Sequence, residues 1–137
     1  MTTYIDANVF IYAAIGDEAD PKTHYAKEIL KKIVAGKEIA YTSILTVDEI
    51  VWVFLKRTKD RNFAITQGIR LHQLPITLLP MSISVSLSSL QFMKKYAHLG
   101  PRDALHLATS VEQGIHHFVS DDSDFDNITE IKKIKLE

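Results

Sequence analysis

Short β-prone runs alternate with segments of helical periodicity along nearly the whole chain, and this order limits the fold more than any single residue does. Tyr4-Ile5 leads through Asp6 into an apolar, helix-like stretch from Ala7 to Ile15. Asp17 to Pro21 supplies turn and helix-start residues ahead of a second helix, in which Ala26, Ile29, Leu30 and Ile33 recur at helical spacing and Gly36 is the stop. Glu38 to Thr42 reads as a strand, and Thr46-Val47-Asp48-Glu49 opens an apolar helix reaching about Lys56. Arg61 to Leu74 reads as a further helix, Ile76 to Leu79 as a short buried strand ended by Pro80, and Ser82 to His98 as a long helix. Pro101 suits a first helical position, so Asp103 to Gln113 restarts as a helix closed by Gly114. His117 to Ser120 is then a strand, and Ile131 to Leu136 a last edge strand. Such alternation predicts an α/β fold with helices on both faces of a central, mainly parallel sheet.

With 137 residues and 46% hydrophobic content, the chain suits one domain spanning residues 1–137. The lack of cysteine excludes a disulfide framework and thiolate metal sites. Nothing at the amino end reads as a signal peptide or as a spanning helix of about 20 apolar residues, so a soluble, cytoplasmic protein without membrane contact is expected. A net charge of -1 argues against a generally basic nucleic-acid surface. Only local patches such as Lys56, Arg57, Lys59 and Arg61 remain, and at a helix end these residues also suit the helix dipole.

Each carboxylate has an ordinary account when taken alone. Asp6 can cap the helix that follows it. Glu49 completes a capping box with Thr46, and Asp103 sits in a first helical turn where the dipole favours it. Asp121, Asp122, Asp124 and Asp126 form an acidic turn of a composition common in solvated loops. Together they mean more, because Asp6 and Asp122 would follow strands while Glu49 and Asp103 would begin helices. In a parallel α/β sheet all of these positions fall on one edge. Such a group would repel itself and raise its own pKa values unless a cation were present. Oxygen donors without cysteine, with histidines scattered along the chain, favour Mg²⁺ or Mn²⁺ over Zn²⁺.

At these residues the chain resembles the PIN-domain ribonucleases, and especially the VapC-type toxins of prokaryotic toxin–antitoxin pairs. The resemblance spans nearly the whole length. It is carried by Tyr4-Ile5-Asp6-Ala7-Asn8, by Thr42-Ser43 followed by Glu49, by Arg102-Asp103-Ala104-Leu105-His106-Leu107-Ala108-Thr109, and by Ser120-Asp121-Asp122-Ser123-Asp124-Phe125. It implies a PIN-like α/β/α sandwich and an acidic endoribonuclease centre dependent on Mg²⁺ or Mn²⁺. Asp6, Glu49, Asp103 and Asp122 match the family's acidic quartet, with Asp124 as an accessory acid, so that Asp6, Asp103, Asp122 and Asp124 are expected at the metal. Asn8 matches the polar residue beside the first Asp, and Ser43 and Ser120 match supporting hydroxyl residues. Arg102 departs from the uncharged residue that many relatives carry there, and is assigned to substrate phosphate or to pairing with a carboxylate. The resemblance also implies an RNA substrate, a cognate antitoxin whose tail enters the acidic groove, and a homodimer, with the apolar helices over 25–35 and 47–55 as candidate surfaces.

These readings predict metal-assisted hydrolysis of an RNA phosphodiester. His106 lies one turn after Asp103 and is read as an ordinary, partly buried helix histidine outside the catalytic set. Three alternatives stand beside the ribonuclease: a non-catalytic RNA- or protein-binding domain of the same fold, a structure-specific DNA nuclease with the same acids, and an acidic phosphotransfer domain. Against the last, Asp6-Ala7-Asn8 lacks the Asp-x-Asp of the dehalogenase type.

Overall fold

A computed structural model describes residues 1–137. Five parallel strands, β1 (Thr2–Ile5), β2 (Ile39–Ser43), β3 (Ile76–Leu79), β4 (His117–Val119) and β5 (Lys132–Ile134), form one sheet in the order β3-β2-β1-β4-β5. The helices between them are α1 (Ala7–Ile15), α2 (Pro21–Val34), α3 (Ile44–Thr58), α4 (Arg61–Gln73), α5 (Ile83–Lys95) and α6 (Pro101–Glu112). None is long and apolar enough to cross a membrane.

Alternation along the strands separates two cores. Ile5 and Val119 point into one with Phe10, Ile33, Ile50, Phe54 and Leu71, from α1 to α4. Tyr4 and Phe118 point the other way, into a smaller core with Leu107 of α6, Leu99 and Phe125. In that second core the Tyr4 and Phe118 rings stack at 4.9 Å between centroids. The result is an α/β/α sandwich with apolar contacts on both faces of the sheet.

Element boundaries moved where local chemistry outweighed periodicity. The α3 cap is Ser43, whose hydroxyl accepts the Leu45 N–H at 3.0 Å. Thr46 is instead buried inside the helix, 2.6 Å from the Thr42 hydroxyl. A capping box from Thr46 to Glu49 is therefore corrected to a Ser43 cap that leaves Glu49 in the second turn. Helix α4 stops before Leu74, which is extended because Pro75 follows it. Helix α5 ends at Lys95 rather than His98, since Tyr96 turns out of the helix and its hydroxyl bonds Glu130 at 2.5 Å.

The strand order runs outward from β1 in both directions, through β2 to β3 and through β4 to β5. The chain thus changes direction across the sheet between β1 and β4, and the carboxyl ends of two such strands flank the crevice where ligands bind in open α/β sheets. Asp6 follows β1 there, and Ser120 to Asp122 follow β4.

Candidate active site

Asp6 is held by bonds from three directions. As the α1 cap it accepts the Ala7 N–H at 2.8 Å on Oδ1. Its Oδ2 accepts the Ser120 hydroxyl at 2.6 Å and the Asn8 amide at 3.3 Å. Asn8 also donates to Ser120 Oγ at 3.2 Å, and its Oδ1 accepts the Asp121 N–H at 3.2 Å. The cap reading of Asp6 and its place at the sheet edge therefore hold together. Burial pushes the Asp6 carboxyl up from its ordinary pKa, although His106, Ser120 and the Ala7 amide pull the other way.

Asp103, in the first turn of α6, meets Asp122 and Asp124 from the loop after β4, with one carboxylate oxygen from each within 4.8 Å of the others. Burial, followed by the charges of Asp122 and Asp6, pushes the Asp103 carboxyl up to about 7. Carboxylates this close oppose each other's ionisation until positive charge is supplied. Their all-oxygen donor set fits a hard divalent cation.

The remaining predicted residues divide. Glu49 lies outside this group of three and bonds His106 Nε2 instead. Asp121 is also engaged elsewhere: Lys22 approaches its Oδ1 at 2.9 Å and the Tyr12 hydroxyl donates to Oδ2 at 3.0 Å. Ser120 Oγ accepts the Asp122 N–H at 3.0 Å, which links the Asp6 support to the acidic loop. Ser43 reaches the site only through its backbone, because its hydroxyl caps α3 while its N–H donates to the Tyr4 hydroxyl at 3.1 Å. Arg102 is exposed beside Asp103 and makes no ion pair.

His106 is fully buried rather than partly so, and both of its ring nitrogens are engaged. Its Nδ1 lies 2.6 Å from the Tyr4 hydroxyl, and its Nε2 bonds Glu49 and lies 3.9 Å from Asp6 Oδ1. Burial lowers its pKa, but the bond to Glu49 and the charges of Asp6, Glu49 and Asp103 outweigh that and leave it raised. Its position one turn after Asp103 was the available signal. Tyr4 gave none, because a tyrosine in an apolar strand looks like packing alone.

Comparison with known proteins follows the same lines. The chain matches the PIN domain family over residues 3–131. Among solved structures, a toxin–antitoxin complex from Klebsiella pneumoniae superposes with a TM-score of 0.71 at 20% identity, over 98% of both chains. VapC20 of Mycobacterium tuberculosis, described as a sarcin–ricin loop cleaving toxin, gives a TM-score of 0.74 at 17% identity over 93% of this chain and 95% of that one. The DNA-bound VapBC of Salmonella typhimurium gives 0.71 at 17% identity over 99% and 98%. A search of curated proteins found no match. With its match over residues 3–131, the chain belongs to the PIN domain family.

Proposed function

We propose that this protein is a metal-dependent endoribonuclease and the toxin of a toxin–antitoxin pair. The meeting of Asp103, Asp122 and Asp124 beside Asp6 at the strand switch carries the reading. In it, Asp103, Asp122 and Asp124 hold Mg²⁺ or Mn²⁺, with Asp6 adding negative charge from the strand end. A bound divalent ion supplies Lewis-acid charge to the phosphate and makes water more acidic.

The chain's own groups do the rest. Asn8 and Ser120 keep Asp6 in place through their bonds to Oδ2. Glu49 stands beside the cluster as the acceptor for the attacking water's proton, as that oxygen bonds to phosphorus and the bond to the leaving ribose oxygen breaks. Arg102, exposed and unpaired, meets the phosphate backbone. Arg57 lines a cleft of about 370 Å³ with Asn8 and Asp121 and offers a second cation near the same edge.

Two apolar surfaces support the partner readings. A groove of about 230 Å³ lined by Phe10, Leu30, Ile50, Phe54, Leu71 and Leu74 suits an antitoxin segment, and several of the similar structures are antitoxin complexes. Ile83, Leu87 and Leu90 are exposed along α5 at helical spacing and suit a second copy of the chain.

The test is to incubate the purified protein with pooled random-sequence RNA and with single-stranded DNA of matched length, in Mg²⁺, in Mn²⁺ and in EDTA. Cleavage of RNA that needs the ion supports the reading. Cleavage of DNA in preference to RNA, or no cleavage with either ion, counts against it.

A further inference from the structure

Tyr4 and His106 stand outside the carboxylate set, and both are fully buried. They join the start of α3 to its second turn by a route through the second core. The Ser43 N–H donates to the Tyr4 hydroxyl at 3.1 Å, that hydroxyl lies 2.6 Å from His106 Nδ1, and Nε2 bonds Glu49 Oε1.

Only one assignment of protons satisfies the neutral ring on this route. An amide N–H can only donate, and an ionised carboxylate can only accept. The Tyr4 oxygen therefore accepts from Ser43 and gives its own proton to Nδ1, which leaves Nε2–H directed at Glu49. Every buried polar group on the route is then paired, and a fully paired buried network is rigid. Glu49 needs such an anchor, since it does not share the close contact of Asp103, Asp122 and Asp124.

We propose that Tyr4 and His106 are positioning residues: a one-way hydrogen-bond path from the Ser43 amide through both rings fixes the Glu49 carboxylate at the edge of the acidic cluster. The proposal rests on the ribonuclease reading only in giving Glu49 a task there. A hydrogen bond on one imidazole nitrogen sets the tautomer, and so decides what the other nitrogen can hold. Loss of His106 would free the Glu49 side chain while leaving the three aspartates and the Asn8–Ser120 support of Asp6 in place.

The experiment uses the full chain as wild type, His106→Leu, His106→Gln and Tyr4→Phe. Nitrogen-15 NMR of the histidine rings reads the tautomer, titration with Mn²⁺ followed by electron paramagnetic resonance reads metal binding, and steady-state cleavage of pooled RNA gives kcat and KM. Read at a pH high enough for the ring to be neutral, the expected wild-type imidazole carries hydrogen on Nε2 and not on Nδ1, and Tyr4→Phe shifts the Nδ1 resonance. In His106→Leu, kcat falls by about 10–100-fold, the usual cost of losing an outer partner, while KM and Mn²⁺ affinity are kept. In His106→Gln the amide nitrogen takes the place of Nε2 and recovers most of kcat. Hydrogen on Nδ1 alone in the wild type would overturn the proposal, as would equal loss of kcat in the Gln and Leu variants, or loss of Mn²⁺ affinity along with kcat. Should His106→Leu fail to fold, the ring tautomer and the Tyr4→Phe shift still decide. A wild type that binds Mn²⁺ and shows the expected tautomer but cuts no RNA would remove the ribonuclease reading and leave the path standing.

Discussion

Ser120 donates its hydroxyl to Asp6 Oδ2 at 2.6 Å across 114 positions of sequence, and so ties the end of β4 to the end of β1. Ser120 Oγ in turn accepts the Asp122 N–H at 3.0 Å and the Asn8 amide at 3.2 Å, so one hydroxyl joins the start of α1 to the loop after β4. Ser120→Ala removes a buried hydrogen bond to a charged group, and urea unfolding should show a loss of about 1–3 kcal/mol. Ser120→Thr keeps the hydroxyl and should lose less. Equal stability of the Ala variant and the wild type would show that the bond does not hold this edge together.

Stability of the metal-free protein should fall as pH rises. Burial and the neighbouring Asp122 and Asp6 charges push the Asp103 carboxyl up to about 7 in the fold, well above its ordinary value. A carboxyl raised by folding favours the folded state when protonated. Its contribution is therefore complete below the unfolded pKa and is lost as pH climbs through the folded one. Asp6 and His106 are raised as well and act in the same direction. The urea midpoint in EDTA should be higher at about pH 5 than at about pH 8, and Asp103→Asn should flatten the difference. A wild-type midpoint that rises over this window would contradict the charge balance described.

If the acidic cluster holds a divalent cation, the same repulsion should make that cation stabilising. At about pH 8, Mn²⁺ at roughly 100 times its dissociation constant should add about 2.7 kcal/mol, read as a higher melting temperature that EDTA reverses. Asp122→Asn and Asp124→Asn should each shrink the gain, because each removes one of the three converging oxygens. Asp121→Asn should not, since that carboxylate is engaged by Lys22 and Tyr12.

Arg102 has no carboxylate partner, so its charge is free for a polyanion. Arg102→Ala should weaken binding of single-stranded RNA and reduce the salt dependence of that binding by about one unit of slope. Fluorescence anisotropy over a range of salt concentrations checks it. An unchanged slope would remove Arg102 from the substrate surface.

Much of this arrangement was legible in the residue pattern. The alternation of strands and helices gave the parallel sheet, because buried strands and amphipathic helices carry different periods. Asp6 and Asp122 could be placed at strand ends because apolar runs lead into them. The Tyr4–His106–Glu49 path was not legible, since it joins positions 4, 49 and 106 on three separate elements, β1, α3 and α6. Nor could spacing separate Asp121 from Asp122. Neighbours in a loop point apart, and only the location of Lys22 and Tyr12 shows which of the two is drawn away. The Thr46 cap failed for a related reason: Thr42 stands beside Thr46 in the fold and takes its hydroxyl into the interior.

The most direct measurement compares cleavage of pooled RNA by the wild type and by Asp103→Asn, each in Mg²⁺ or Mn²⁺ and in EDTA, with circular dichroism to establish that both are folded. If the acidic edge is the nuclease centre, the wild type cuts RNA only with the ion and the folded Asp103→Asn protein loses that activity. Undiminished cleavage by folded Asp103→Asn, or wild-type cleavage that persists in EDTA, would contradict it.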